Sequence, residues 1–209
     1  MPKAWRKHNL KLQRFEQQIL PKKYKIVAGI DEAGRGPLAG PVIACAVVLR
    51  TKSFKNKICD SKKLSFPARQ RAYEEIVEKA HIGLGIVNRE IIDQRNILQA
   101  TIVAMKKALD DLRIRPEYSL IDGRFRQEDL VRPSQIVVGG DNCCLSIACA
   151  SIVAKVVRDS LMHYYAILYP QYGFDRNHGY CTNEHLIAIE KYGLTPIHRR
   201  SFRPICWVK

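Results

Sequence analysis

The sequence contains no apolar run approaching the roughly 18 residues that a membrane-crossing helix needs, so no membrane association is expected. Its opening stretch, MPKAWRKHNLKLQRFEQQIL, is basic but has no continuous apolar segment and no small-residue cleavage site, and does not read as a signal peptide. The seven cysteines are odd in number, irregularly spaced and without a CxxC pair. A disulfide framework or a zinc site is therefore not expected. Most sit among apolar residues, which suits buried free thiols in a reducing cytoplasm. The glycine-rich segment GRGPLAG (34–40) lacks the Gly-Lys-Ser/Thr ending of a phosphate-binding P-loop, and no GxGxxG opens a helix, so ATP binding is disfavoured. Internal repeats and low-complexity stretches are absent. Acids are scarce, with 20 Asp and Glu against 35 Lys and Arg.

What remains is a basic chain of ordinary globular composition, 46% hydrophobic and 26% charged. Its 209 residues suffice for one sizeable core and a small appendage. A net charge of +15 favours a polyanionic partner, although charge alone leaves a merely basic soluble protein equally open. The distribution favours nucleic acid. Lys3, Arg6, Lys7, Lys11, Arg14, Lys22, Lys23 and Lys25 face a single acid, Glu16, in residues 1–25, and Arg199, Arg200 and Arg203 add charge near the other end.

Residues 1–25 read as a basic helical arm with Leu10, Leu12, Phe15, Ile19 and Leu20 available to pack, ended by Pro21. YKIVAGID (24–31), VIACAVVL (42–49), HIGLGIV (81–87), YSLID (118–122) and SQIVVGGD (134–141) read as strands. Helices are expected from Ser65 and Pro67 to about Lys79, from Asn96 (with Gln99, a capping box) to about Leu112, over a long segment carrying Leu145, Ala148, Ile152 and Val156 on one face, and from Asn183 to Lys191. Alternating strands and helices predict an α/β sandwich, and the short link between the first two strands predicts a mixed sheet.

Three of these strands run into acids: Asp31-Glu32, Asp122 and Asp141. Any one of them alone reads as a helix cap or a turn residue. Together they describe carboxylates converging at one sheet edge. Like charges within about 4–6 Å repel and raise one another's pKa, which makes sense if a hard cation neutralises them. Oxygen-only ligands select Mg²⁺ or Mn²⁺, and an acidic pocket on a basic protein suggests two-metal phosphoryl transfer. The glycines just after the first pair either form a tight turn or let backbone amides approach a sugar or phosphate.

These residues carry a family likeness. GIDEAGRGPLAGPV (29–42) resembles the signature of type 2 ribonucleases H (ribonuclease HII). The resemblance continues in order through DSKKLS (60–65), NILQAT with Ala104-Met105 (96–105), LIDG (120–123), GGD with SIACASIVAKVVRD (139–159), YGF with HGYCTNEH (172–185) and GLTPIHRRSF (193–202). It implies a ribonuclease H-like α/β fold, with a central mixed five-stranded sheet flanked by helices and a small C-terminal helical module. The implied division is a basic arm (1–25), a catalytic core (26–166) and the module (167–209). Asp31, Glu32, Asp122 and Asp141 map onto the family's catalytic metal-binding acids, with two Mn²⁺ or Mg²⁺ ions once substrate is bound. Gly34, Arg35 and Gly36 map onto a loop that reads the ribose 2′-OH largely through its backbone. Tyr180 maps onto a tyrosine packed against a sugar at the RNA–DNA junction, and Lys62 is a further substrate-binding candidate.

The implied activity is hydrolysis of the RNA strand of RNA–DNA hybrids and cleavage 5′ to ribonucleotides embedded in duplex DNA, leaving 3′-OH and 5′-phosphate. The implied protein is a monomer of the cytoplasm. There are departures: Gly139 stands where the family usually has Lys, Cys149 replaces a usual alanine, and the segment around Gly179 lacks a common basic residue. Asp159, deep in the long helix, reads as a structural partner for Arg158 or another base. The adjacent Asp-Glu pair argues against type 1 enzymes, and the short arm against the substrate-binding domain of type 3. The rivals are another ribonuclease H-fold nuclease, which would lack the 34–36 loop and Tyr180, and a catalytically silent hybrid-binding protein, which would lack an acid.

Overall fold

A computed structural model describes residues 3–130 and 133–205. Cys206 and the last residues lie outside this range. Five strands form one sheet in the order β3-β2-β1-β4-β5. These are β1 (Val27–Ala33), β2 (Val42–Leu49), β3 (Ala80–Val87), β4 (Tyr118–Asp122) and β5 (Ser134–Val137). β1, β2 and β3 pair antiparallel, and β4 and β5 continue the sheet in parallel from β1. The expected mixed five-stranded sheet is observed.

β2 shows why its sequence is uninterrupted by polar residues. Cys45 and Val47 point to one covered face, while Ala44, Ala46 and Val48 point to the other. Helices on both faces of a strand remove the need for alternation. The first face carries α4 (Leu145–Leu168), α2 (Phe66–Lys79) and Leu12 of α1 (Lys3–Ile19). The second carries α3 (Arg89–Asp110). α4 lies so close to β1 that a Cβ on Gly29 would fall 2.3 Å from the Ser146 carbonyl carbon.

α1 is seated on this core. Leu12 is buried, and the buried Glu16 carboxylate accepts from both the backbone N–H (2.7 Å) and hydroxyl (2.8 Å) of Ser146 in the first turn of α4. A carboxylate there satisfies an unpaired helix N–H and meets the positive end of the helix dipole. Leu10 and Phe15, also expected to pack, are partly exposed.

α3 begins at Arg89, earlier than the sequence suggested, and is broken at Asn96, whose φ of 66° and ψ of 164° are not helical. Asn96 Oδ1 accepts from the N–H groups of Leu98 and Gln99, so it does cap the second half. The last segments are the short helix α5 (Phe174–Asn177) and α6 (Asn183–Tyr192). They enclose a small separate core in which Tyr172, Phe174 and Ile189 pack with Met162 of α4 and with Leu38 and Ala39 of the glycine loop. The segment after β1 is therefore held by the C-terminal residues.

Candidate metal centre and substrate loop

Asp31 and Glu32 both lie within β1, which runs on to Ala33, two residues past the end the sequence suggested. Successive strand residues project to opposite faces, so adjacency in sequence separates the two carboxylates. Asp31 is buried on the α4 side and accepts the Glu32 N–H at 2.7 Å. Asp122 ends β4, and the register Ile30↔Ile121 places it beside Asp31 one step further along. Asp141 is not on a strand: β5 stops at Val137, and Asp141 sits on the 3₁₀ turn Gly140–Asn142 that leads towards α4. That turn is tied back by the Gly140 N–H, which donates to Asp122 Oδ1 at 2.8 Å.

The result is one cluster in which carboxylate oxygens of Asp31, Asp122 and Asp141 lie within 4.8 Å of one another. Glu32 stands beside it. Its Oε1 is 3.4 Å from Arg35 Nη1, and its Oε2 is buried with no hydrogen-bond partner among the described residues. Burial, then the charges of Glu32 and Asp122, push the Asp31 carboxyl well above the usual carboxylate range. Burial raises Glu32, with Asp122 adding and Arg35 opposing. Burial, then Asp122 and Asp60, raise Asp141. Acids whose ionised forms are all disfavoured are uncompensated, and a bound cation removes that penalty. An oxygen-only donor set with an orphaned buried oxygen fits a hard divalent ion such as Mg²⁺ or Mn²⁺.

The glycine loop leaves this cluster directly. Gly34 has φ +95°, and a Cβ there would lie 2.1 Å from Arg158 Nε. Arg158 and Arg199 are both fully buried beneath the loop. Arg199 donates from Nη2 to Gly34 O (2.5 Å), from Nη1 to Arg35 O (3.0 Å) and from Nε to Gly40 O (2.9 Å). Arg158 donates to the carbonyls of Ala39 and Pro41 (both 3.1 Å) and of His178 (3.0 Å). Burial, then the Arg158 charge, bring Arg199 down to about 9, still protonated at neutral pH. In a trans peptide the C=O and the following N–H point in opposite directions. Holding the carbonyls of Gly34 and Arg35 inward therefore turns the N–H groups of Arg35 and Gly36 outward, and neither donates to another group among the described residues.

Tyr180 is 42% exposed and stands against the loop: a Cβ on Gly36 would lie 3.6 Å from Tyr180 Cε1. Lys62 is exposed on the 3₁₀ turn Ser61–Lys63, and its charge acts on both Glu32 and Asp141. The acids, the 34–36 loop that follows them, Tyr180 against that loop and Lys62 near Glu32 and Asp141 thus lie in one neighbourhood. Gly139 has left-handed geometry (φ +68°) with open space around it. Asp159 pairs with Lys155 (2.7 Å) and Arg69 (3.7 Å), not with Arg158.

Sequence reasoning missed four contributors. Asp60 adds a negative charge near Asp141 and caps the turn bearing Lys62. Arg158 holds the loop from beneath together with Arg199, whose place in the sequence marks it only as terminal positive charge. The buried histidines 185 and 198 touch each other behind Tyr180. Asp60, Arg158, His185 and His198 all lie in segments that carry the family resemblance, but nothing there marks their roles, and in HRRSF the two arginines part: Arg199 is buried and Arg200 exposed.

The five-stranded mixed sheet thus carries, beside the ends of β1 and β4, a carboxylate cluster that offers donors for a divalent ion. Residues 28–205 match the family model described as ribonuclease HII. The chain is 52% identical to ribonuclease HII of Enterococcus faecalis over 93% of its own length and 76% of that protein's. It is 49% identical to ribonuclease HII of Syntrophus aciditrophicus over 92% and 91%. In fold it is similar to ribonuclease H2 from Pyrococcus horikoshii OT3 (TM-score 0.72, 24% identity, 88% of this chain and 96% of that one). It is also similar to Bst-RNase HIII in complex with Mn²⁺ (TM-score 0.68, 18% identity, 87% and 68%). The chain belongs to the ribonuclease HII family, and is an endoribonuclease acting on nucleic acid.

Proposed function

We propose that this protein cuts the phosphodiester 5′ to a ribonucleotide, both in RNA–DNA hybrids and at single ribonucleotides embedded in duplex DNA, leaving 3′-OH and 5′-phosphate. The observation that carries this reading is the placement of the outward N–H groups of Arg35 and Gly36 and the ring of Tyr180 beside the acid cluster. Asp31, Glu32, Asp122 and Asp141 hold two divalent ions, Mg²⁺ or Mn²⁺, when substrate is present. Bound there, the ions supply activation of water and stabilisation of the departing 3′ oxygen.

The chain's own groups do the rest. The loop amides of Arg35 and Gly36 donate to a ribose 2′-OH, the one group that separates RNA from DNA at this position. A side chain at Gly36 would stand between those amides and Tyr180. Arg35 directs its guanidinium to Glu32, which leaves reading to the backbone. Tyr180 presents an aromatic face to the sugar that follows, favouring deoxyribose at the junction, and Lys62 meets a phosphate. We also propose that the protein acts as a monomer in the cytoplasm.

The test is cleavage of an end-labelled duplex carrying one ribonucleotide, with and without Mn²⁺ or Mg²⁺. A single metal-dependent cut on the 5′ side of the ribonucleotide, leaving a ligatable 3′-OH, is expected. Cleavage confined to long hybrids, or a cut on the 3′ side, would refute the proposal.

A further inference from the structure

Behind Tyr180 lies a chain of hydrogen bonds that the activity does not explain. The Tyr180 carbonyl accepts from His185 Nδ1 at 2.8 Å as well as from the Thr182 N–H. His185 Nε2 is 3.0 Å from His198 Nε2, and His198 Nδ1 accepts the Thr195 N–H at 2.9 Å. Only one proton arrangement satisfies every link. A carbonyl oxygen can only accept, so His185 carries its proton on Nδ1. Its bare Nε2 then accepts from His198 Nε2–H, and His198 Nδ1 is left as an acceptor for Thr195. Both rings must be neutral, since a second proton would set two N–H groups against each other. Burial holds both below the usual histidine range, His198 to about 4 with the His185 charge contributing. Both side chains are fully buried.

The same short segment holds the glycine loop. His198 bridges to Ala39, the Arg199 N–H donates to Leu38 O (2.8 Å), and the Arg199 guanidinium takes Gly34 O and Arg35 O. Two adjacent residues therefore reach in two directions, one through His185 to the Tyr180 backbone and the other to the carbonyls that turn the loop amides outward. We propose that His198 and Arg199 form a bracket that fixes the spacing between the loop amides and the Tyr180 ring, with His185 and His198 as positioning residues for the choice of a ribose followed by a deoxyribose. This rests on the roles proposed above for the loop and Tyr180. A hydrogen-bonded pair of neutral rings suits that role because it is rigid, short and satisfied at both ends.

The experiment compares kcat/KM on a duplex with one embedded ribonucleotide and on a long RNA–DNA hybrid, using the full chain with saturating Mn²⁺, and reads the ratio of the two. A merely structural role lowers the amount of active protein and leaves the ratio unchanged. His198→Gln is expected to reduce cleavage at the single ribonucleotide about tenfold, with hybrid cleavage falling less than about threefold, in line with the weakening of one well-placed interaction. In a Tyr180→Ala background the same substitution is expected to leave the ratio where Tyr180→Ala already put it, because both act through one group.

Equal losses on the two substrates, or a further shift of the ratio in the Tyr180→Ala background, would overturn the proposal. If His198→Gln does not fold, His185 decides the matter. His185→Asn places an amide donor near the Tyr180 carbonyl and should keep the ratio near wild type, whereas His185→Leu should shift it; identical ratios would overturn the proposal. A Tyr180→Ala protein with an unaltered ratio would instead refute the role of Tyr180 itself, a failure distinguishable from failure of the bracket.

Discussion

At the scale of the residue, two glycines two positions apart are constrained by different things. Gly34 combines a left-handed backbone with the Arg158 side chain packed where a Cβ would be. Gly36 has neither constraint; its nearest neighbour is the Tyr180 ring at ordinary van der Waals distance. Gly34→Ala should therefore destabilise the fold, by about 1–2 kcal/mol for the backbone and about 1–3 kcal/mol more for overlap. Gly36→Ala should leave denaturant midpoints close to wild type and still lose most cleavage, because its methyl intrudes where a sugar must approach. Urea unfolding and a cleavage assay on the same two proteins check this, and a Gly36→Ala protein of full activity would remove the loop amides from substrate reading. Asp31 and Asp122 could be picked out in the sequence because an acid at the end of an apolar strand is a local pattern, whereas Asp141 lies beyond β5 on a turn. The separation of Glu32 from the other three follows from strand alternation and was also there to be read. The roles of Arg158 and Arg199 were not legible, because their partners are backbone carbonyls, which carry no mark in the sequence.

At the scale of the element, β2, β3 and β4 were legible within a residue or so because their apolar runs are bounded by turn residues. The start of α3 was not. Its first segment spans only Arg89 to Arg95, too short for helical periodicity to register, and Asn88 makes no side-chain cap bond. Asp141 was misplaced for a related reason: Gly139 and Gly140 end the strand, and the 3₁₀ turn they open has no periodicity of its own. The break at Asn96 is held in a conformation that non-glycine residues rarely adopt, in exchange for two capping bonds. Asn96→Ala should lose the cap and keep the strain, costing about 1–2 kcal/mol. Asn96→Gly should cost less, since it relieves the strain. Thermal melting of both variants tests the ordering, and a melting point for Asn96→Ala at or above that of Asn96→Gly would contradict it.

At the scale of the whole molecule, the excess of positive charge has a direction. Lys11, Lys57 and Lys63 all act on His8, Lys63 reaches Asn142 beside Asp141, and Lys62 faces the acids. A basic band thus runs from α1 to the candidate metal centre. Replacing Lys11, Lys57 and Lys63 by Gln should weaken substrate binding and flatten its dependence on log salt by up to about 2–3, near 0.9 for each phosphate no longer neutralised. An unchanged slope in binding titrations from low to moderate salt would place the nucleic acid elsewhere. The basic character of α1 was plain from composition, but its attachment was not. Leu12 was among the residues available to pack and does fill the core, but nothing in the sequence marks Glu16, the arm's one acid, as the cap of α4. Removing the helix to test its charge would expose both sites, with about 1.5–3 kcal/mol lost at Leu12 alone, so point substitutions are the cleaner probe.

The proposed cleavage requires the clustered carboxylates to be the metal centre at which RNA is cut. Asp122→Asn is the decisive variant, because Asp122 adjoins Asp31 on the neighbouring strand and anchors the turn bearing Asp141. With saturating Mg²⁺ and a duplex carrying one ribonucleotide, Asp122→Asn should show no detectable cleavage. Its metal-free melting point should equal or exceed that of the wild type, because one source of mutual repulsion is gone. Cleavage near the wild-type rate in a folded Asp122→Asn protein would mean that the metal centre lies elsewhere.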